Sequence, residues 1–206
     1  MAKTWKYDLD IAKYSRQIAQ DPSNFRAYKE RGNVYFRKRE FDRAIADYTR
    51  AIELNPDYFL AYKNRGNVYM QTTQYTLAIA DYDRAIGLKP ENGMPYNNRG
   101  FAFLLMGDLA RAEADIRRSL DLNPANIYAL NSMAEIHAAK GDAAGACRWL
   151  KLAIEKGYNN WTYILTSPTY DTVRASDCFI EIMRNKKPQD STHRPPRHHS
   201  KYRPGE

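Results

Sequence analysis

Apolar and small residues recur along the chain with a period of 34 residues. The segment 27–36 reads AYKERGNVYF, the segment 61–70 reads AYKNRGNVYM, and the segment 95–104 reads PYNNRGFAFL. If Phe25 is the first position of a 34-residue unit, the next units begin at Phe59, Gly93 and Ile127. A fixed period of this length is typical of repeat proteins, in which each repeat is one supersecondary unit.

Each unit contains two stripes with the spacing of one face of an α-helix. One stripe occupies positions 4, 8 and 11 and the other occupies positions 20, 24 and 27; in the first unit they are Tyr28, Gly32, Tyr35 and Ala44, Tyr48, Ala51. Intervals of four and three residues place side chains on one side of a helix. The sequence therefore predicts a hairpin of two helices in every unit, with the small residues allowing close approach.

Turn and stop signals separate the predicted helices. Gly107-Asp108 and Gly141-Asp142 lie between the two stripes of the later units, where Asp can cap the following helix. A proline at position 32 (Pro56, Pro90, Pro124) prevents the second helix from continuing, whereas the fourth unit has Tyr158 there. Because one hairpin cannot bury its apolar stripe alone, we expect successive hairpins to stack.

The order of a large residue, Gly, aromatic, Ala, aromatic, Ala and Pro at these positions resembles the signature of the tetratricopeptide repeat family. The resemblance covers about residues 5–158 and implies an all-α fold: an α-solenoid in which stacked hairpins form a right-handed superhelix with a helical C-terminal cap. The implied domains are a partial N-terminal repeat helix over 1–24, four repeats over 25–58, 59–92, 93–126 and 127–158, a helical cap over 159–185, and a disordered basic tail over 186–206.

The predicted cap loses the 34-residue phase but stays aromatic. We expect a helix near 161–165, a break at the Ser-Pro pair and a helix near 176–184. The residues assigned to cover the open end of the repeats are Trp161, Ile164, Leu165, Val173, Phe179 and Ile182.

Composition and charge limit the class of protein. The 206 residues are 27% charged, and neither a signal-like start nor an apolar run of about 20 residues occurs, which favours a cytoplasmic protein without a membrane span. Cys147 and Cys178 fit a reducing compartment better than a disulfide scaffold. Half of the net charge of +8 lies in the tail, which has six cations and two acids and is poor in apolar residues.

Catalytic motifs are absent from the sequence. It has no Gly-rich phosphate loop and no Gly-x-Ser-x-Gly elbow, and His137 stands at the aromatic position 11 rather than in a zinc motif. We therefore predict no enzymatic activity, no cofactor, no metal site and no small-molecule substrate. The repeated acids Asp47 and Asp81 are interpreted as structural, each pairing with the Arg at position 7 of the following unit, Arg65 and Arg99.

The family resemblance also implies a binding surface. Positions 2, 5, 6, 9, 12 and 13 of each first helix face the inner groove in this family, and the groove residues of this chain change from basic through amide to apolar. The candidate peptide-binding residues are Lys29, Asn33, Lys63, Asn64, Asn67, Asn97, Asn98 and Phe101. In the fourth unit the same positions hold Tyr128, Asn131, Ser132, Glu135, Ala138 and Ala139. Amides and cations suit an extended peptide with acidic character.

Some family members hold an acidic C-terminus with a carboxylate clamp of five residues. In one register Lys29, Asn33 and Asn64 match it, and in the next Lys63, Asn67 and Asn98 match it. The last two places hold Met94 and Asn98 in the first register, and Tyr128 and Ser132 in the second, so both registers lack the remaining cations. The weaker expectation is a protein or peptide partner with some negative charge.

Two other functions stay open from the sequence. The repeats could be structural and self-associating, forming a homo-oligomer through the fourth unit, which lacks its proline. The basic tail, with Tyr202 and three His, could contact nucleic acid or an anionic membrane in a salt-sensitive way. We rank nucleic acid last because the repeats themselves carry no comparably dense basic stripe.

Overall fold

The computed structural model describes residues 4–185, and these residues form helices and turns without a β-strand. The predicted all-α class is therefore confirmed. The helices are α1 Thr4–Gln20, α2 Phe25–Lys38, α3 Phe41–Leu54, α4 Phe59–Gln71, α5 Tyr75–Leu88, α6 Gly93–Leu105, α7 Leu109–Leu122, α8 Ile127–Ala139, α9 Ala143–Glu155, α10 Trp161–Thr166 and α11 Asp177–Arg184, with a short 3₁₀ helix, η1, at Pro168–Tyr170. The predicted disordered tail lies outside the described residues.

Consecutive helices pack as hairpins, α2 with α3, α4 with α5, and α8 with α9. The helices α2, α4, α6 and α8 begin at the four predicted unit starts. The backbone divides into two compact units, one up to residue 102 and one from residue 103 onward.

The turns inside the hairpins use a left-handed residue. Gly107 and Gly141 have φ values of +83° and +74°, and the Asp after each of them caps the next helix with its carboxylate. In the first two hairpins the left-handed residues are Arg39 and Thr73, with φ values of +63° and +58°. The backbone geometry is thus shared even where the glycine is not.

The small-and-large stripes make the core. Ala44, Ala78, Ala112 and Ala146, all at position 20, are almost completely buried, as are the position-24 residues Tyr48, Tyr82, Ile116 and Leu150. A Cβ added to Gly32 would lie 2.9 Å from the Tyr48 ring, and one added to Gly66 would lie 2.8 Å from the Tyr82 ring. The glycines therefore make room for an aromatic ring of the same hairpin.

The predicted ion pairs between repeats are wrong in one respect. Arg31 and Arg65 bind the buried acids of their own hairpins, Asp47 and Asp81, each with two hydrogen bonds of 2.7–2.9 Å. The third nitrogen of each guanidinium reaches the helix before its own hairpin: that of Arg31 donates to Ser15 of α1 and that of Arg65 to Thr49 of α3. Arg99 forms an ion pair with Asp83, which stands at the same position as Thr49 one repeat later. Each Arg thus contacts the helix that precedes its own hairpin, but at position 25 of the repeat rather than at the predicted position 23.

The C-terminal segment packs on the fourth hairpin within the second unit. Trp161, Ile164, Tyr170, Val173, Phe179 and Ile182 share one buried cluster with residues of α8 and α9. Leu165, which we also assigned to this contact, instead has 43% of its surface exposed. The expectation of free cysteines is wrong as well, because Cys147 of α9 and Cys178 of α11 form a disulfide.

Candidate functional site

The eight predicted binding residues all lie in the first unit, on α2, α4 and α6. We call this set the asparagine face: Lys29, Asn33, Lys63, Asn64, Asn67, Asn97, Asn98 and Phe101. The helices that carry them begin at the first three predicted unit starts. The residues at positions 5 and 9 are four apart on one helix and therefore share one side of it.

Hydrogen bonds join four of the asparagines into two identical triads. Asn33 accepts on Oδ1 from Asn64 Nδ2 at 2.8 Å and from the Tyr48 hydroxyl at 2.7 Å. One repeat later, Asn67 accepts on Oδ1 from Asn98 Nδ2 at 2.9 Å and from the Tyr82 hydroxyl at 2.8 Å. The carbonyl of each central asparagine is fully used, so only its amide nitrogen can serve a ligand.

The tyrosine hydroxyls are the part of this site that sequence reasoning missed. Both rings were assigned to packing alone, yet each phenol anchors an asparagine from beneath the surface. Burial raises the pKa of Tyr48 and of Tyr82, so both keep the proton that they donate. The available signal was the choice of Tyr over Phe at position 24 in the first two repeats, where Ile116 and Leu150 follow in the later ones.

The first clamp register is occupied by the chain's own carboxylate. Glu30 forms an ion pair with Lys29 and accepts from Asn33 Nδ2 at 3.0 Å. Burial would raise the pKa of Glu30, but the hydrogen bond and charge of Lys29, with the Asn33 amide, lower it overall. Glu30 therefore contacts both residues of the predicted Lys29–Asn33 pair, and it neutralises Lys29.

The second register has no such acid. Position 6 is Asn64 instead of Glu, and among residues 4–185 no group pairs with the Lys63 ammonium or accepts from Asn67 Nδ2. Burial, and then the nearby charge of Lys29, lower the pKa of Lys63. A half-buried cation without a counter-ion next to a donor amide is an arrangement that an anionic group would stabilise.

The two remaining residues flank the triads. Asn97 is buried, with 5% of its surface exposed, and donates to Asn98 at 3.2 Å. Phe101 is partly exposed one turn further along α6. The buried Asn97 has little surface to offer a partner, whereas Phe101 can contact one.

The expected open groove of the fourth repeat is not found. Asn131, Ser132, Glu135 and Ala138 are all buried. Glu135 accepts from the hydroxyls of Tyr163 and Thr169, at 2.5 and 2.6 Å. Tyr170 donates to Asn131 Oδ1 at 2.9 Å. The cap therefore covers this face of α8, because its hydroxyls satisfy the polar groups that an outside peptide would otherwise contact.

Other kinds of site are not apparent in the described part of the chain. Residues 4–185 contain no group of three or more His, Cys, Asp or Glu side chains placed to hold a metal ion. Their helices are too short or too polar to cross a membrane.

Comparison with known proteins agrees with the repeat geometry. The family model described as TPR repeat matches residues 32–73 and 66–107, and the model described as tetratricopeptide repeat matches residues 99–160. No curated protein matches the chain.

Solved structures with the same fold are numerous. The crystal structure of MamA has a TM-score of 0.65 at 24% identity, covering 73% of this chain and 88% of that one. YrrB, described as a TPR protein with an unusual peptide-binding site, has a TM-score of 0.63 at 20% identity, covering 84% and 93%. The first TPR of Spaghetti (RPAP3), bound to the HSP90 peptide SRMEEVD, has a TM-score of 0.56 at 30% identity, covering 58% and 95%.

Proposed function

Because the chain belongs to the tetratricopeptide repeat family, we propose that it is a non-enzymatic scaffold that binds an extended peptide of a partner protein on the asparagine face. The family and its structural neighbours support a protein-interaction role, and two of those neighbours are described with a peptide or a peptide-binding site. A rigid, preformed surface lowers the ordering cost of such binding.

The observation that carries the proposal is the contrast between Lys29 and Lys63. Both stand at position 5 of a first helix, but Lys29 is neutralised by Glu30 and Lys63 has no partner among residues 4–185. We infer that an acidic group of the peptide binds Lys63 and the Asn67 amide, rather than the Lys29–Asn33 pair. The third repeat adds Asn98 and Phe101 but no cation, so the affinity for one short segment should be modest.

The test uses two heptapeptides, SRMEEVD and the matched SRMQQVN with an amidated C-terminus, measured by calorimetry on the full chain. We expect SRMEEVD to bind more tightly, and Lys63→Gln to weaken its binding at least about tenfold, because a charge-assisted hydrogen bond contributes about 1.5–3 kcal/mol. Lys29→Gln is the matched control and should change binding less than about threefold, well below the effect of a lost charge-assisted bond.

Glu30→Gln tests the proposal in the opposite sense, because this variant should gain affinity for the peptide. Removal of this acid frees Lys29 and Asn33, so SRMEEVD should bind this variant more tightly than the wild-type chain. Equal affinity of the wild-type and Lys63→Gln chains for SRMEEVD, or no preference for it over SRMQQVN, would disprove the assignment of Lys63 as the anion site.

Self-association is the second candidate function, and one observation favours it. Trp5 and Leu9 lie one turn apart on α1, and each has 59% of its surface exposed. The self-association surface that we expected at the fourth repeat is covered by the cap. Contact between two copies of the chain would therefore use α1. The nucleic-acid role of the tail and the cytoplasmic location remain predictions, since the tail lies outside the described residues and the disulfide does not favour a reducing compartment.

A further inference from the structure

A carboxyl group is buried where the cap meets α8. Glu135 has 1% of its surface exposed. Its Oε1 accepts from Tyr163 of α10 and Thr169 of η1, and its Oε2 accepts from Asn131 of α8 at 2.8 Å. All three donors are neutral, and two of them belong to the cap. A buried carboxylate normally has a cationic partner, and Glu135 has none among residues 4–185.

The titratable groups around Glu135 are tyrosines. Tyr163 of α10, Tyr158 before α10 and Tyr170 of η1 all lie close enough for its charge to raise their pKa, in addition to the larger effect of burial. Within the described chain, α7 and α9 place no charged group against it. On α8 itself, His137 is bound to Asp142 instead. Proton loss from Glu135 would therefore leave an anion that no cation offsets.

We propose that the contact between α8 and the cap segment α10–η1 is a pH-sensitive latch, which is tightest when Glu135 is protonated and opens more readily as Glu135 loses its proton. Opening would expose the inner face of α8, with Asn131 and Glu135, next to solvent. This face occupies the same repeat positions as Lys29, Asn33, Lys63 and Asn67 on the asparagine face. The latch would thus control access to one further inner face, independently of whether the asparagine face binds a peptide.

The disulfide does not prevent this motion. It joins α9 to α11 with a sequence separation of 31 residues, and α10 and η1 lie within the loop that it closes. The loop can lift from α8 while both of its ends remain attached. The buried cluster of the cap keeps the open state a minor one.

The direction of the pH effect follows from linkage. Burial raises the pKa of Glu135 from its ordinary 4.5 to about 7, although the hydrogen bonds from Thr169, Tyr163 and Asn131 oppose this change. A carboxyl with a raised pKa binds its proton more tightly in the closed state. Closing is therefore most favourable below about pH 4.5 and weakens as the pH rises toward 7.

Hydrogen exchange of the full chain tests the latch. The amides of Ser167 and Tyr170 donate to the carbonyls of Tyr163 and Ser167 within the cap. Because α10 and η1 are only six and three residues long, they do not stay folded once they leave α8, so the exchange of these amides, divided by the intrinsic rate, measures cap opening. We expect the opening constant to rise roughly fifty- to hundredfold between pH 5 and pH 8. Glu135→Gln keeps the size and the side-chain carbonyl of Glu135 but has no titrating proton. In this variant the opening constant should change less than about threefold over the same pH range.

Two control variants separate Glu135 from its neighbours. Glu113→Gln removes an acid of α7 that is bound to Lys140 and Arg117, and His137→Gln removes the nearby histidine. Both should keep the wild-type pH profile. A profile that survives in Glu135→Gln, or one that disappears in His137→Gln, would overturn the proposal.

A third variant covers the case in which Glu135→Gln does not fold. Tyr163→Phe removes one donor to the carboxylate, and that donor lowers the pKa of Glu135. The midpoint of the exchange profile should therefore move to higher pH. An unchanged midpoint would count against Glu135 as the titrating group.

Discussion

At the residue scale, the repeated sequence pattern specifies contacts between a glycine at position 8 and the tyrosine ring at position 24 of the same repeat. The interval of 34 residues predicted small residues at position 8 and bulky ones at position 24, and the structure places Gly66 directly against Tyr82. The same ring then turns its hydroxyl to Asn67. One tyrosine thus connects the core to the candidate binding surface.

Gly66→Ala should destabilise the first unit. The added methyl would lie 2.8 Å from the Tyr82 ring, closer than real Cβ contacts allow, and the ring is 1% exposed and has no room to move. Overpacking lowers the free energy of unfolding by about 1–3 kcal/mol, and the higher helix propensity of Ala offsets less than about 1 kcal/mol of this loss. We expect a net loss of about 1–2 kcal/mol in the free energy of unfolding, measured by urea denaturation.

Gly87→Ala is the control for this change. Gly87 is also helical, in α5, and a Cβ there meets no atom within 4 Å. This variant should be neutral or more stable by up to about 1 kcal/mol. If both alanines had the same effect, the contact with Tyr82 would not be the reason for glycine at position 8.

The sequence periodicity could predict which residues pack in the core, but it could not predict the hydrogen-bond and ion-pair partners of the polar side chains. Positions 4, 8, 11, 20, 24 and 27 follow from sequence because burial repeats with the helix period. Whether Glu30 pairs inside the protein or faces a ligand depends on where the Lys29 and Asn33 side chains point, and that is fixed only by the packed hairpin. The partner of Arg65 was misassigned for the same reason, since the spacing does not say whether position 7 faces the acid of its own hairpin, Asp81, or that of the preceding one, Asp47.

At the element scale, the cap is the segment that differs most from expectation. Its helices were placed near their observed bounds, but its effect on α8 was not foreseen. The hydroxyls of Tyr163 and Thr169 reach Glu135 across 28 and 34 residues of sequence, in a region without the repeat phase. No periodic pattern reports such contacts. The pairing of Cys147 with Cys178 was missed because helix spacing says nothing about two different helices.

Reduction of the disulfide should weaken the second unit. Closing a loop with a sequence separation of 31 residues stabilises the folded state by about 3–4 kcal/mol, chiefly by restricting the unfolded chain. We expect the reduced chain, or Cys147→Ser with Cys178→Ser, to lose about that amount from the unfolding of residues 103–185. The probe is Trp161 fluorescence, in a variant in which Trp5 and Trp149 are replaced by Phe.

Gly66→Ala serves as the comparison for this experiment. Its defect lies in the first unit. Reduction should therefore lower the free energy of unfolding reported by Trp161 by the same amount with Gly66 and with Ala at this position. A thiol titration that finds free thiols in protein purified without reductant would contradict the disulfide between Cys147 and Cys178.

At the scale of the whole molecule, the question is whether the chain acts alone. Stable protein interfaces bury about 1,200–2,000 Å² in total, with an apolar centre. The described residues offer two small apolar pairs: Trp5 with Leu9 on α1, and Leu165 with Ile180 on the cap. Each pair consists of two side chains, whereas a standard interface uses about 20–30 residues on each side.

We therefore expect a monomer of 23.9 kDa in solution. Sedimentation equilibrium at concentrations up to about 100 μM would measure it, far above the Kd of a standard-size interface. The net charge of +8 also opposes association at low salt, so the measurement belongs at both low and physiological salt, where screening differs. A dimer that reverts to monomer in Trp5→Ser but not in Ile180→Ser would instead assign α1 as a self-association surface. That result would make the structural role of the repeats, rather than peptide binding alone, the function to pursue.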